Sequence, residues 1–195
     1  MYRAVLDTCA LVPGRQRDFL LQLATEEAYA PLWGSGILFE LDCVLARLDV
    51  KRGREGSGER RQHLFEQMRR AFPGAEINAP KNRGYDYGLN DPEDGHVAHA
   101  ALLGKADTIV TDDSRAGFKT SRILSDGGID IVHPHEFAAN TVTSHPEAGV
   151  RALVAMSRRM VTPTRSPQQI PDELRDRYGR HEVAEILTPR VWEVG

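Results

Sequence analysis

Short apolar runs alternate with amphipathic stretches along the first two thirds of the chain. Ala4–Leu6 is typical of a short buried strand, whereas Arg17–Tyr29 places its apolar residues at helical spacing. A second helical stripe follows Ser35, which is a suitable N-cap. Thr108–Thr111 and Ile129–Val132 are further strands rich in β-branched residues. Strands that alternate with helices predict an α/β domain with a central, mainly parallel sheet.

Residues 91–94 (DPED) predict the start of a helix. Asp91 is an N-cap residue, the proline suits the first helical position, and the two acids that follow favour the helix dipole. We expect this helix to end near Gly104. The sequence before it predicts a basic helix over 59–72 and a strand fragment with a loop over 73–90.

Beyond about residue 140 the pattern is helical only. Residues 144–147 (SHPE) have the sequence of a capping box that contains proline, and an apolar helical stripe follows. A turn-rich break over 163–171 precedes two shorter helical patterns. We therefore predict a domain over 1–140 and a helical C-terminal extension over 141–195. An extension of that size makes a marginal core alone, so we expect it to pack on another element.

Composition limits the class of protein. The chain has 195 residues, of which 41% are hydrophobic and 27% are charged, which excludes a disordered or fibrous protein. No apolar run approaches the roughly 20 residues that span a bilayer, and the short first strand does not resemble a signal peptide. We expect no membrane association and a cytoplasmic location. Cys9 and Cys43 are too few for a disulfide scaffold and are predicted to be buried free thiols.

Acidic residues follow the predicted strands. Asp7 comes after the first strand, Asp112 and Asp113 come after the strand TIVT, Asp94 lies in a helix first turn, and Glu40 lies on the second helix. The carboxyl ends of parallel strands meet at one edge of a sheet, so these side chains should converge. Each acid alone is equally well explained as a turn former, a helix-dipole residue or a solvated helix residue. The functional hypothesis therefore depends on the whole set.

Carboxylates gathered in one pocket repel each other and need a counter-ion. A set of oxygen ligands suits Mg²⁺ or Mn²⁺. Such ions orient a water molecule, lower its pKa and stabilise the charge on a phosphoryl group. The residues themselves therefore predict metal-assisted hydrolysis of a phosphodiester.

Four blocks of sequence, in this order, resemble the PIN domain, and within it the VapC-type toxin ribonucleases of bacterial toxin–antitoxin pairs. They are VLDTCAL (5–11), SGILFEL (35–41), DPEDGHVAHAAL (91–102) and IVTDD (109–113). The resemblance covers about residues 3–137. It implies a three-layer α/β/α fold with a central, mainly parallel sheet, to which this chain adds its helical C-terminal extension.

The resemblance also implies an activity, that of a metal-dependent endoribonuclease. Mg²⁺ or Mn²⁺ would be held by four residues, which are Asp7, Glu40, Asp94 and Asp113. Three further residues would support the site: Thr111 by orienting an acid or a water, Asp91 from outside the ligand set, and Asp112 in a variable position. The family further implies an RNA substrate such as tRNA or another structured RNA, a homodimer, and inhibition by a cognate antitoxin protein.

Cys9 departs from the family pattern, because it stands where asparagine is frequent. This substitution predicts that a hydrogen bond which steadies the first block is missing, and that the orientation of Asp7 is weaker. His96 and His99 lie one turn apart on the helix that carries Asp94. One possibility is that His96 faces the acidic site, but we expect both to be ordinary helix residues.

The net charge of −3 gives no global attraction to nucleic acid, so local charge must supply it. Residues 51–70 carry seven basic residues against three acidic ones, Glu55, Glu59 and Glu66. We predict that RNA is bound by four arginines of this segment, Arg52, Arg54, Arg60 and Arg61, because the guanidinium fork suits phosphate. The alternative is a solvated helix with internal Glu–Arg pairs.

Two other functions stay open. One is a catalytically weak or inactive PIN-like module that binds RNA or a protein, which Cys9, the small net charge and the unexplained extension favour. The other is a phosphatase or phosphotransferase with Asp7 as the nucleophile. Against the second, position 9 is a cysteine and not the second acid of an Asp-x-Asp arrangement.

Overall fold

The structure is a computed structural model that describes residues 1–54, 56–161, 163–178 and 180–192. Its contacts form two compact units. The first comprises Met1–Val12 and Ala30–Val132, and the second comprises Pro13–Tyr29 and His133–Gly195. The second unit thus contains residues 13–29 as well as the C-terminal helices. The division into a domain over 1–140 and an extension over 141–195 remains a prediction.

In the described residues, the first unit contains one all-parallel sheet of five strands with the order β3-β2-β1-β4-β5. The strands are β1 (Arg3–Leu6), β2 (Ala30–Gly34), β3 (Glu76–Ile77), β4 (Thr108–Val110) and β5 (Asp130–Val132). The α-helices, in chain order, are α1 (Thr8–Leu11), α2 (Gly14–Thr25), α3 (Ser35–Lys51), α4 (Ser57–Ala71), α5 (Gly95–Leu103), α6 (Arg122–Asp126), α7 (Pro134–Ser144), α8 (Pro146–Arg159), α9 (Gln169–Tyr178) and α10 (His181–Trp192). A parallel sheet flanked by helices, followed by C-terminal helices, confirms the predicted fold class.

The central strand β1 and its neighbour β4 bring distant parts of the chain to one edge of the sheet. Their apolar residues are fully buried, as expected of a parallel sheet covered on both faces. In the register, Leu6 stands opposite Val110. The amide of Asp7 then donates to the carbonyl of Val110 (3.1 Å), which continues the pairing one step beyond β1. The residues that follow β1 and β4 therefore meet at the carboxyl edge.

The helix start at 91–94 forms as predicted, with one difference. The Asp91 carboxylate accepts a hydrogen bond from the amide of Glu93 (2.9 Å) and caps a turn over Pro92–Asp94. That turn is a 3₁₀ turn, and α5 begins after it at Gly95. Asp94 thus lies at the junction between the turn and the helix.

The second unit has a core of its own elements. Tyr29 packs edge-on against Phe137 at 4.8 Å between ring centroids and donates its hydroxyl to the carbonyl of Leu20 (2.9 Å). Arg151 of α8 pairs with Glu26 at 2.8 Å, which ties α8 to the end of α2. The capping box predicted over 144–147 is not formed, because the residue at the N-cap of α8 is His145, which makes no side-chain cap.

The structure bears on two predictions made from composition, one on membrane-spanning segments and one on the cysteines. In the part of the chain that the structure describes, no helix combines the length and apolar character needed to cross a membrane. Both cysteines are free, as predicted, but the prediction that they are buried is wrong. Cys43 is exposed because the buried face of α3 is confined to its first two turns, up to Leu41.

Gly36 permits a close approach in the first turn of α3. A Cβ there would lie 2.5 Å from the His96 ring and 2.8 Å from the carbonyl of Ala79. We expect Gly36→Ala to lower the free energy of unfolding by about 1–3 kcal/mol, because backbone and a buried ring must shift. Urea unfolding measures this change. Gly58→Ala is the control, because its Cβ meets open space on an exposed turn of α4. Equal effects of the two substitutions would contradict the packing argument.

Candidate active site

Asp7 is the buried centre of the site. It ends β1 and caps α1, accepting a hydrogen bond from the amide of Thr8 (2.6 Å). Its other carboxylate oxygen accepts a bond from the Thr111 hydroxyl (2.7 Å), just beyond the end of β4. Burial raises the pKa of Asp7, and the charge of Glu40 raises it further, while the bonds from Thr111, Thr8 and Cys9 act in the opposite direction. The carboxylate is therefore held in position in an environment that disfavours its charge.

The thiol of Cys9 makes hydrogen bonds at a position where we predicted that one would be missing. Its thiol lies 3.4 Å from a carboxylate oxygen of Asp7 and 3.3 Å from the Thr111 hydroxyl. The sulfur also accepts from the amide of Asp112 (3.3 Å). Burial and the charge of Asp7 raise the pKa of Cys9, so the thiol keeps its proton. The expected loss of a hydrogen bond is thus wrong, although a thiol is a weak donor and weaker orientation stays a prediction.

Glu40 carries its own counter-charges. It accepts hydrogen bonds from the ammonium of Lys81 and from the Thr8 hydroxyl (2.9 Å), and His96 Nε2 lies 3.4 Å away. Burial acts to raise the pKa of Glu40, but these partners outweigh it and lower the pKa to about 2. Glu40 is therefore ionised throughout the physiological range.

His96 is part of this arrangement, so the expectation that it is an ordinary helix residue is wrong. Its side chain is fully buried. Nδ1 lies 2.8 Å from the carbonyl of Glu93 and must be the donor there, which leaves Nε2 directed at Glu40. His99 instead stacks on Tyr85, with 4.6 Å between ring centroids.

The other acids of the site raise the pKa of Asp94. Its pKa is raised to about 6, first by burial and then by the negative charges of Asp7, Asp91, Asp113 and Glu40. These are the acids that follow β1 and β4 or lie on α3 and the 91–94 turn. The topology therefore brings the four predicted ligand residues into one electrostatic field.

The remaining predicted residues lie around this cluster in different roles. The Thr111 hydroxyl is buried and, besides bonding Asp7, accepts from the amide of Asp113 (3.0 Å), so it links the two acids. One oxygen of Asp113 accepts from the amides of Arg115 (2.7 Å) and Ala116 (3.1 Å), which holds the turn after β4. Asp112 is exposed, as is Asp91, which caps the 91–94 turn.

The donor chemistry of the cluster fits a hard divalent cation. The four predicted ligands offer carboxylate oxygens only, and the raised pKa of Asp94 reports repulsion that a cation would relieve. Among the described residues, however, no group of three or more His, Cys, Asp and Glu side chains is arranged to hold a metal ion. In this arrangement Glu40 forms an ion pair with Lys81.

The arginines predicted to bind RNA divide into two pairs. Arg61 bonds Asp42 at 2.7 Å and Asp49 at 3.5 Å, and Arg54 pairs with Asp49 at 3.6 Å. Arg52 and Arg60 are exposed, and neither forms an ion pair with a residue that the structure describes. Glu55, which belongs to the charge count of this segment, lies outside the described residues.

A groove that the sequence did not indicate lies beside Glu40. It has a volume of about 490 Å³ and is lined by Phe39, Lys81, Asn82, Arg83, Gly84, Tyr85, Pro92 and Glu93. Phe39 precedes Glu40 on α3, and its side chain is 62% exposed. The groove thus combines an exposed aromatic ring with two basic residues, Lys81 and Arg83, and one acidic residue, Glu93.

The fold and the site together place this chain among the α/β proteins that have an acidic site at the carboxyl edge of a parallel sheet. The family model described as PIN domain matches residues 3–115, which is more than half of the chain and contains all four predicted ligands. The chain belongs to the PIN domain family. PIN domains are typically metal-dependent nucleases. Comparisons with curated proteins and with solved structures found no match.

The raised pKa of Asp94 predicts a specific dependence of stability on pH. An acid whose pKa is raised by folding binds its proton more tightly in the folded state, so it adds stability as the pH falls from about 7 through 6. Asp94→Asn should reduce this gain and stabilise the metal-free protein at pH 7.5 by about 1 kcal/mol, since the group is only half-buried.

Urea unfolding in EDTA at pH 7.5 and pH 5 measures both quantities. Asp126→Asn on the exposed surface of α6 is the control and should follow the wild type at both pH values. The electrostatic description of the site is contradicted when Asp94→Asn is less stable than the wild type at pH 7.5 and keeps the same difference at pH 5.

Proposed function

We propose that the protein is a metal-dependent endoribonuclease that hydrolyses phosphodiester bonds in RNA. One observation supports this function above the others: the charges of Asp7, Asp91, Asp113 and Glu40 all raise the pKa of Asp94, in a chain of a family of nucleases. A cluster of repelling carboxylates at the carboxyl edge of a parallel sheet costs stability unless it serves a cation.

Asp7, Glu40, Asp94 and Asp113 are the residues that would hold Mg²⁺ or Mn²⁺. When bound, such an ion supplies an activated water and neutralises charge on the phosphoryl group. Thr111, Thr8 and Cys9 orient the carboxylate of Asp7 by hydrogen bonds. In the metal-free protein the pKa of Asp94 is about 6, so a proton competes with the cation for this carboxylate below that pH.

Lys81 contributes a positive charge between the acids and the groove. Its pKa is raised, because the bond and the charge of Glu40 outweigh the effect of its burial, so the ammonium persists at neutral pH. Lys81 keeps Glu40 ionised and presents charge to a phosphate in the groove. The exposed ring of Phe39 offers a surface on which a base stacks.

The finer proposal is a toxin of the VapC type, with a cognate antitoxin, a homodimeric state, a cytoplasmic location and tRNA or another structured RNA as the substrate. The second half of α3 supports a protein partner. Val44, Leu45 and Leu48 lie on one side of this helix and are only half-buried. An apolar helix face of this kind suits a second copy or a small inhibitory protein.

Loss of a ligand carboxylate should abolish cleavage. Asp7→Asn and Asp94→Asn are each expected to lower the rate of RNA cutting at least 100-fold in Mn²⁺, because each removes a charge that the cation needs. A fluorescent structured RNA and gel analysis measure the rate, and circular dichroism checks the fold. Asp126→Asn should cut at the wild-type rate. Undiminished cutting by both site variants would refute the proposal.

The two pairs of arginines should behave differently on RNA. Arg52→Ala and Arg60→Ala are expected to weaken binding and to lower the salt slope of log K by about 1 each, since their guanidinium groups are available to phosphate. Arg61→Ala should mainly lower stability, because Arg61 bonds Asp42 and Asp49. Fluorescence anisotropy at several salt concentrations measures the slopes. Identical slopes in wild type, Arg52→Ala and Arg60→Ala would exclude this segment as the contact.

A second candidate is a non-catalytic module that binds RNA or a protein. Lys81 favours it, since it already neutralises Glu40, and so does the lack of a preformed group of three ligands among the described side chains. RNA affinity in EDTA separates the two functions. A module binds RNA equally well in EDTA and in Mn²⁺ and leaves it intact, whereas the nuclease cuts RNA once Mn²⁺ is added.

A further inference from the structure

Arg180 is a buried arginine in the second unit. It directly precedes α10, and its side chain is only 2% exposed. One of its terminal nitrogens, Nη2, donates to the side-chain oxygen of Gln16. The other, Nη1, is buried and has no hydrogen-bond partner in the part of the chain that the structure describes. A buried donor left without an acceptor costs free energy, so this one points to a missing partner.

The charge of Arg180 is also uncompensated. Among the described residues, no acid forms an ion pair with it, and Glu173 of the same unit is engaged by Arg15 (3.5 Å) and Arg165 (4.0 Å). Burial lowers the pKa of Arg180 to about 10. The guanidinium is still protonated at neutral pH, and a buried cation without a counter-ion is strongly unfavourable.

Arg180 is one of the residues that line a small cavity. It has a volume of about 130 Å³ and is lined by His135, Arg180, His181, Glu182 and Val183. The last three are the first three residues of α10, and the carbonyl of Arg180 accepts from the amide of Ala184 (3.1 Å), which begins the helix. The amides of that first turn have no partner within the helix, and the helix dipole favours an anion there.

We infer that this cavity binds a phosphate group, with Arg180 and the N-terminal amides of α10 as donors. Tetrahedral oxyanions suit this combination, because Nη1 of Arg180 and the converging amides can bond separate oxygens of one group. A cavity of about 130 Å³ is comparable in size to one such group. The two sources of this chemistry are inorganic phosphate and the terminal phosphate of an RNA strand. None of these residues belongs to the acidic site, so the inference stands or falls independently of the nuclease activity.

Thermal unfolding of the full chain tests the site with inorganic phosphate. At constant ionic strength, replacing chloride by phosphate should raise the Tm of the wild type by a few degrees. Arg180→Met should lose this response and be at least as stable as the wild type in chloride, because it replaces an unpaired buried charge by an apolar side chain of similar length. Arg190→Met, at an exposed arginine of the same helix, should respond like the wild type.

Glu182→Gln provides a variant that keeps the arginine. Glu182 is exposed and is the acid among the lining residues, so its removal should tighten phosphate binding about threefold in calorimetry. A short RNA with a 5′-phosphate, compared with its 5′-hydroxyl form, distinguishes the two sources: a preference for the phosphorylated strand assigns the RNA terminus, and equal binding assigns free phosphate.

Three results would overturn the inference. One is a wild-type Tm that phosphate and chloride affect equally. Another is an equal phosphate response in Arg180→Met and Arg190→Met. The last, which holds even when Arg180→Met does not fold, is a phosphate affinity that Glu182→Gln leaves unchanged or weakens.

Discussion

The hydrogen bond from the Thr111 hydroxyl to Asp7 is the interaction on which the site depends. It joins the residues that follow the two central strands of the sheet, more than a hundred positions apart in the chain. The same hydroxyl accepts from the amide of Asp113, so one buried side chain positions an acid from each strand end. The bond that Thr111 donates favours the ionised form of Asp7, so it acts against the rise in pKa that burial causes.

The acids of the site are not equivalent, because the protein compensates their charges unequally. Glu40 has Lys81 and Thr8 as bonding partners and His96 close by, and its pKa lies at about 2. No side chain among the described residues forms a hydrogen bond with the Asp94 carboxylate, and burial together with the surrounding negative charge raises its pKa to about 6. We therefore assign the two acids different roles. Glu40 is charged at all physiological pH values beside the groove, whereas the charge of Asp94 needs a cation to stabilise it.

Local signals in the sequence predicted the fold class and most of the elements. The short β-branched strand TIVT, the Asp91 cap and the acids after the strands were readable because each depends on neighbours in the chain. Lys81 and the burial of His96 were not readable. Lys81 reaches Glu40 from a loop whose place depends on β3 pairing with β2, and that strand is only two residues long. His96 is buried because Gly36, on another helix, leaves room for its ring.

The central claim is that the acid cluster binds a divalent cation through Asp94, and a titration with Mn²⁺ followed by electron paramagnetic resonance tests it most directly. The account predicts saturable binding at pH 7.5, about tenfold weaker binding at pH 5 because Asp94 then holds a proton, and loss of binding in Asp94→Asn. Saturable binding that neither pH 5 nor Asp94→Asn changes, or no saturable binding at pH 7.5, would contradict it.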